Sequence, residues 1–516
     1  MKRPLLSLLI LLFLFTCLHA QSPGSLDLTF GGTGYVTHDF QNEFNTSKLV
    51  FLQPDGKILV LGNTNTSTNV LALRFHSDGT LDNGFGTAGV FKEAGFGYPV
   101  SSVDYSELWS GELQSDGKIV LAGMIKVSTF GSFIFLIRLN SNGTKDSTFG
   151  INGIFRTPII NNFEPLGRSV KIASLSDGKI ILFTGVKTDK KFSLIRVNAN
   201  GTLDNTFGTG GVIDVSSSSG DIFSISALAL AIQSDGKILA QGIATTAPNN
   251  TQGYVFRFLP DGTLDNTFSS DGEFQINDYT GPLSTNNDRR SIIPLPDGKV
   301  LISRFSTPGT GISRIKSDGT IDNTFGTNGT AYPGFTLYAM VSQFDGKIVC
   351  PGVKSGQGIL LRLNSNGSID YSFGNTGGGY ATIPATSRYS HLLQQPDGKI
   401  VACGNKDGDF VVGRHFSQVV SGVNEENLFE QFTIGPNPSN GHFSLRFHLS
   451  EAQNLSISLF NLSGQLIQTI EPETRFVAGE HQLPVRLPNL PAGNYILRMV
   501  GEKGQKAVKV QLLGNE

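Results

Sequence analysis

The sequence predicts an all-β protein built from one small unit repeated in series, and three observations carry that prediction. DGK occurs seven times, at Asp55, Asp116, Asp177, Asp235, Asp297, Asp345 and Asp397, each copy leading into a short apolar run. A second signature interleaves with it seven times: LDLTFGGTG from Leu26, LDNGFGTAG from Leu81, KDSTFGING from Lys145, LDNTFGTGG from Leu203, LDNTFSSDG from Leu264, IDNTFGTNG from Ile321 and IDYSFGNTG from Ile369. Sixty-two glycines in 516 residues, with 16% charged and 9% aromatic residues and no sustained helical period, suit many short strands joined by turns.

The first element is a leader. MKRPLLSLLILLFLFTCLHAQS places Lys2 and Arg3 before an apolar run and small Ala20 before Gln21, the pattern of a secretory signal peptide over 1–20 cut between Ala20 and Gln21. The run is shorter than the ~20 residues of a membrane span, and no later segment comes close, so no transmembrane anchor is expected after processing. Cys17 would suit a lipoprotein, but Thr16 before it fits poorly. Losing Lys2 and Arg3 leaves 38 basic residues against 42 acidic, a net charge of −4 that gives no general pull toward nucleic acid.

The array comes next, over 21–420. Intervals between DGK sites are 61, 61, 58, 62, 48 and 52 residues, enough for four short strands with turns, the size of a propeller blade. In the third repeat, SVKIASLS from Ser169 reads as a strand, Asp177-Gly178 as a two-residue hairpin turn, and KIILFTG from Lys179 as its partner. FSLIRVN from Phe192 is the third strand, Asn200-Gly201 a second turn, and the segment from Leu203 through GGVIDV the fourth.

An arginine recurs with the unit, and an aspartate follows eight residues later in six of seven cases: Arg74 and Asp82, Arg138 and Asp146, Arg196 and Asp204, Arg257 and Asp265, Arg314 and Asp322, Arg362 and Asp370. Arg414 lacks a successor, and Asp27 at the other end lacks a predecessor. The chain thus begins part-way through one unit and the array stops part-way through another, in complementary places. That predicts a closed seven-bladed β-propeller whose N-terminal segment completes the last blade, with Asp27 beside Arg414. These pairs are read as ion-pair clamps that repeat because the blade repeats. Calcium-binding turns are the alternative, since DGTLD runs are rich in oxygen ligands; they lack the spacing of a calcium loop, and nearby Arg repels a cation. No cofactor is expected otherwise. The repeated phenylalanines, from Phe30 and Phe85 to Phe373, are read as packing between blades.

Cys350 and Cys403 stand five and six residues after their DGK aspartates, on opposite faces of corresponding strands, which predicts buried free thiols. After a linker over 421–430, residues 431–516 alternate apolar and polar residues with Gly and Pro at bends, as in a small Ig-like β-sandwich. PNP at Pro436 to Pro438 is expected to lead into its first strand.

Two resemblances rest on these residues. The tail, with PNPSNG, FNLSGQLI, LPAGNYILRM and Lys506 and Lys509 near its end, resembles the type A C-terminal sorting domain of the type IX secretion system. The resemblance implies export to the surface of a Gram-negative bacterium through that machinery, with removal of the tail and release or surface attachment. The array resembles the delta-60 repeat, which carries LDxTFG and QxDGKI in this order and is regarded as propeller-forming; it implies a fold and almost no function. Lys145 replacing Leu, Ser269 replacing Gly after Phe268, and Ser303 replacing Gly are minor departures.

Chemistry is hard to find. There is no GxSxG, HExxH, CxxC, phosphate loop or Asp-box, and His38, His76, His391 and His415 are read as ordinary histidines of different units. No catalytic or metal set is assigned. Function is expected in segments that depart from the repeat: DYSELWSGEL with Asp104, Glu107 and the sole tryptophan Trp109, TTAPNNTQGY ending at Tyr254, and NDYTGPLSTNNDRR with Tyr279. Exposed aromatics there would suit a surface glycan or protein. The expected function is a non-enzymatic exported scaffold; the alternative is a secreted glycan-active enzyme with a pore-lined site.

Overall fold

The computed structural model describes residues 22–513 except 41–44, 65–68, 129, 158–169, 187–190, 216–223, 248–249, 277–290, 307–308, 375, 385–386, 419–429, 462–465, 488–489, 491 and 502–503. The signal peptide, Tyr279 and nearly all of the proposed linker lie outside the described residues. Among those described, the chain is all β apart from one 3-10 turn at Val100–Ser102, and no helix is long and apolar enough to cross a membrane.

Seven antiparallel sheets precede the tail. Their first strands are Asn45–Leu52, Val103–Leu113, Val170–Ser174, Ser224–Ile232, Ile292–Pro294, the broken pair Thr336–Leu337 and Val341–Ser342, and Ser387–Gln394. We number the blades 1 to 7 in that order. Blade 3 continues through Ile180–Val186, Lys191–Val197 and Val212–Val215. Blade 7 takes Ile400–Lys406 and Asp409–His415 from the end of the array and Tyr35–His38 from its start. Tyr35 pairs with Gly413 and His38 with Phe410. Closure is therefore made by ordinary sheet hydrogen bonds, extended by Asp27 N to Arg414 O at 2.8 Å and Phe416 N to Ser25 O at 2.9 Å.

The DGK turns differ in one detail from expectation. Leu175 and Lys179 close the hairpin of blade 3 around three residues, with Gly178 N donating to Leu175 O at 3.0 Å and Gly178 at φ +80°. Three residues, not two, fit because a type I turn followed by one left-handed residue also matches strand twist, and glycine takes that last place without steric cost. Asp177 Oδ1 accepts from Lys179 N at 3.0 Å and fixes the turn.

Alternate residues of the middle strands enter successive layers between blades. Leu59 and Leu61 pack with Leu108 and Leu121 of blade 2, whereas Ile58 and Val60 pack with Val401 and Val412 of blade 7. Every junction carries such a layer, and each large aliphatic side chain buried there contributes roughly 1.5–3 kcal/mol. Cys350 and Cys403 are buried, form no disulfide among the described residues, and lie in different layers.

The two repeated signatures meet at the rim of each blade. Arg74 Nε donates to Asp82 Oδ2 at 2.7 Å, the DGK lysine Lys57 reaches the same oxygen at 3.0 Å, and the guanidinium lies 4.9 Å from the centre of the Phe85 ring. Arg74 also donates to Ser141 O at 2.6 Å, on the next blade. The ring-closing copy repeats every contact: Arg414 on Asp27 at 2.7 Å, Lys399 on Asp27 at 3.2 Å, Arg414 over Phe30 at 4.9 Å, and Arg414 to Ser77 O of blade 1 at 2.5 Å. The clamps thus tie blade to blade around the circle. Burial alone would raise the Asp82 carboxyl, but the bonds from Lys57 and Gly84 and the charge of Arg74 outweigh it and hold it at about 2.

The tail is a sandwich. Glu430–Gly435, His442–Leu449 and Gly479–Arg486 form one sheet; Leu466–Phe476, Gln453–Phe460, Gly493–Gly501 and Gly504–Leu512 form the other. The core between them is built on Leu445 and Phe447 from the first sheet and Ile457, Leu497 and Met499 from the second. The PNP segment follows the first strand instead of leading into it, and opens His442–Leu449. Alternation turns Ile496 and Arg498 outward, toward the DGK-turn face of the propeller, where the Phe460 and Phe344 rings meet at 4.0 Å.

Candidate functional site

The first strands of all seven blades surround the propeller axis, and between them lies a channel cavity of about 350 Å³. Six residues before each DGK aspartate stand Leu49, Ser110, Lys171, Ala229, Ser291, Ala339 and His391, and every one lines it. Four residues before stand Phe51, Glu112, Ala173, Ala231, Ile293, Val341 and Leu393, of which all but Leu393 line it. The wall is therefore unequal. His391, Lys48, Glu112 and Lys171 come from blades 7, 1, 2 and 3, while blades 4 to 6 contribute Leu230, Ile232, Ile293, Leu295, Met340 and Val341 with Ser291 and Ser342.

Enclosure sets the charge state of these groups. Glu112 lines the channel and its side chain has no hydrogen-bond or ionic partner among the described residues; burial pushes its carboxyl up to about 8, which favours the protonated form at neutral pH. Burial and then the charge of Lys171 push His391 down to about 4, leaving a neutral ring. Its Nδ1 accepts from Val50 N at 3.4 Å, across the junction of blades 7 and 1, which assigns the proton to Nε2. Lys171 is buried and donates to Trp109 O at 3.4 Å. Farther from the DGK face, Lys48 pairs with Glu107 at 2.6 Å and donates to Leu108 O at 2.7 Å, and Tyr105 donates to the other oxygen of Glu107.

The aromatic residues singled out from the sequence are not on exposed loops. Trp109 sits in the eleven-residue first strand of blade 2, 2% exposed, its ring in the layer between blades 2 and 3 and its Nε1 without a hydrogen-bond partner among the described residues. Tyr254 is fully buried in the strand Asn250–Phe258, stacked on Phe256. Both segments depart from the repeat because their strands are longer, not because a loop is inserted. Asp104 is exposed and accepts from Ser128, beside the mouth far from the DGK turns.

Closure also regroups the histidines: His38, His391 and His415 share the sheet of blade 7, where the sequence had suggested separate units. They do not converge. His415 is buried against Tyr389 and Gly24 O. Among the described residues no group of three or more His, Cys, Asp or Glu side chains could hold a metal ion, and the turn carboxylates are engaged: Asp78 Oδ1 accepts from both Thr80 N and Thr80 Oγ1. Glu112 was missed from sequence, although aligning the inner strands back from DGK shows it as the one charged residue among apolar equivalents.

A closed ring of seven blades followed by a β-sandwich defines a β-propeller protein with an appended C-terminal domain. Residues 53–85, 114–149, 175–207, 233–268, 295–325 and 343–373 match the family described as domain of unknown function (DUF5122) beta-propeller, and residues 433–512 match the secretion system C-terminal sorting domain. The chain's repeats belong to the DUF5122 β-propeller family and its tail to the type IX sorting domains. Six segments match where seven blades stand because the seventh is split between the two ends of the array. The tail directs the chain to secretion or the outer cell surface. No curated protein matches the sequence. Among solved structures, virginiamycin B lyase from Staphylococcus aureus is similar at 13% identity over 74% of this chain and 99% of that one, with a TM-score of 0.44. The β-propeller domain of the Trilobed protease from Pyrococcus furiosus is similar at 8% identity over 73% and 94%, with a TM-score of 0.40. Neither likeness bears on the chemistry of this chain.

Proposed function

We propose that this exported propeller is a binding protein that takes a neutral glycan segment into the DGK-side end of its channel. The observation that carries the reading is the division of the wall. Donors on one side, from His391 Nε2, Ser110 and the protonated Glu112, face an apolar side made by blades 4 to 6. A neutral sugar has the matching duality of hydroxyl edges and C–H faces, and a cavity of about 350 Å³ lies at the small end of ligand sites. Binding is favoured over hydrolysis because glycosidases pair two carboxyl groups about 5–10 Å apart. Glu112 is the one carboxyl among the described lining residues, and Glu107 beyond it is held by Lys48 and Tyr105.

The test is a neutral-glycan array probed with the intact chain and with a chain cut at a protease site inserted within 419–429. A glycan retained by the cut chain, kept by Glu112→Gln and weakened at least about tenfold by Glu112→Leu is the expected result. Failure of both forms to bind any glycan, or cleavage of a bound one, rejects the reading. Delivery is tested separately: deletion after Ser421 leaves the protein in the periplasm, and unchanged surface delivery overturns the role of the tail.

A further inference from the structure

We infer that the C-terminal sandwich is a lid on the channel: docked on the DGK-turn face it shuts that mouth, so that a docked tail and a channel ligand exclude one another. The inference rests on the binding reading only for what the channel holds.

Asn461 of the tail lines the channel cavity itself. With Ile467, Leu490 and Tyr495 it also roofs a second cavity of about 730 Å³, whose floor is the DGK turns of blades 2 to 5, and Glu112 lines both spaces. The roof is held from the opposite side of the mouth. Phe460 is 2% exposed against Phe344, the residue before the DGK of blade 6, and Arg498 lies 4.0 Å from the centre of the same ring. Arg498 is 3% exposed, and the carboxylates that act on its charge are Asp397 and Asp345, the DGK aspartates of blades 7 and 6. Those two side chains are 46% and 42% exposed, whereas the DGK aspartates of the other five blades are 52–55% exposed. Asn494 adds a bond to Ser115 O at 3.4 Å, in the turn of blade 2. A buried guanidinium between two turn carboxylates is a contact that charge reversal breaks, while the inner face of the sandwich is untouched because Arg498 points away from it.

The experiment reads access rather than binding. Glu112→Cys is introduced into the full chain, where Cys350 and Cys403 are buried and give little background, and its rate of reaction with a small methanethiosulfonate is measured. The same rate is taken with Arg498→Glu, with Phe460→Asp, and with Arg498→Glu combined with Asp345→Arg and Asp397→Arg. Asp104→Cys, beside the far mouth, serves as a control that should react alike in every background. Labelling at least tenfold faster in Arg498→Glu and Phe460→Asp, and slow again in the charge-swapped combination, is expected. Equal rates in all backgrounds overturn the lid, whatever the glycan array shows. Faster labelling with no glycan bound by the opened variants keeps the lid and rejects the proposed ligand.

Discussion

Asp27→Asn tests ring closure at the side-chain clamp that joins the two ends of the array. Asp27 is 1% exposed, and its Oδ2 accepts from Arg414 at 2.7 Å and faces Lys399 at 3.2 Å, while Thr29 N and Thr29 Oγ1 bond its Oδ1. The amide keeps the Thr29 bonds and removes the charge, leaving a largely buried guanidinium without its carboxylate, which costs about 3–5 kcal/mol. Lys399, more than a quarter exposed, adds at most about 1 kcal/mol. The partners are 387 positions apart, so what is weakened is the hold on a strand that nothing else in sequence keeps in place. Hydrogen exchange of the amides in Tyr35–His38 and Phe410–Gly413 should accelerate by roughly a hundredfold or more, at about tenfold per 1.4 kcal/mol. Asp82→Asn removes the same kind of pair eight positions apart and should leave those amides protected. Equal loss of protection in both variants, or less than tenfold in Asp27→Asn, refutes closure through this clamp.

Further outcomes follow from the same geometry. The clamp carboxyls are held below the ordinary aspartate value, Asp82, Asp265, Asp322 and Asp370 at about 2, so their stabilisation is complete above about pH 4 and is lost as pH falls through about 2; acid unfolding monitored by circular dichroism should begin in that window. Glu112 has the opposite sign: its raised value means that folding takes up a proton from about pH 4.3 to about 8, so stability declines across that range at up to about 1.4 kcal/mol per unit, and Glu112→Gln should flatten the decline in urea titrations at several pH values. Ser269 adopts φ +56°, where Gly86, Gly150, Gly208 and Gly326 lie at +54° to +57°, so Ser269→Gly should raise stability by about 1 kcal/mol in chemical unfolding. Cys350 and Cys403 should react with a thiol reagent only after denaturation, since burial pushes the Cys350 thiol up and both are covered.

The ring was legible because its parts are copied. Arg414 without a following aspartate and Asp27 without a preceding arginine could be matched only after six complete pairs had defined the spacing. Burial of Trp109 and Tyr254 was not legible for a related reason. A departure from the repeat looks the same in sequence whether a loop is inserted or a strand is lengthened, and Val103–Leu113 and Asn250–Phe258 are lengthened strands. Glu112 escaped notice because one carboxylate in a seven-strand alignment matters only once the strands are known to converge on an axis. The role of the DGK lysine was hidden as well: its partner lies on the far side of the blade's third strand, as Lys179 and Asp204 show at 3.0 Å.

The split seventh blade also sets an order of events. Blades 1 to 6 are each contiguous in sequence and draw on short-range pairing, whereas Tyr35–His38 stays without a partner until Asp409–His415 has been synthesised. A chain interrupted anywhere before Arg414 leaves Tyr35–His38 unpaired and the apolar face of blade 1 with Ile58 and Val60 uncovered, which makes it prone to aggregation and proteolysis. Only after that point does the sorting tail emerge. The sorting tail comes after the last strand needed to shut the circle, so any chain long enough to carry it is long enough to close.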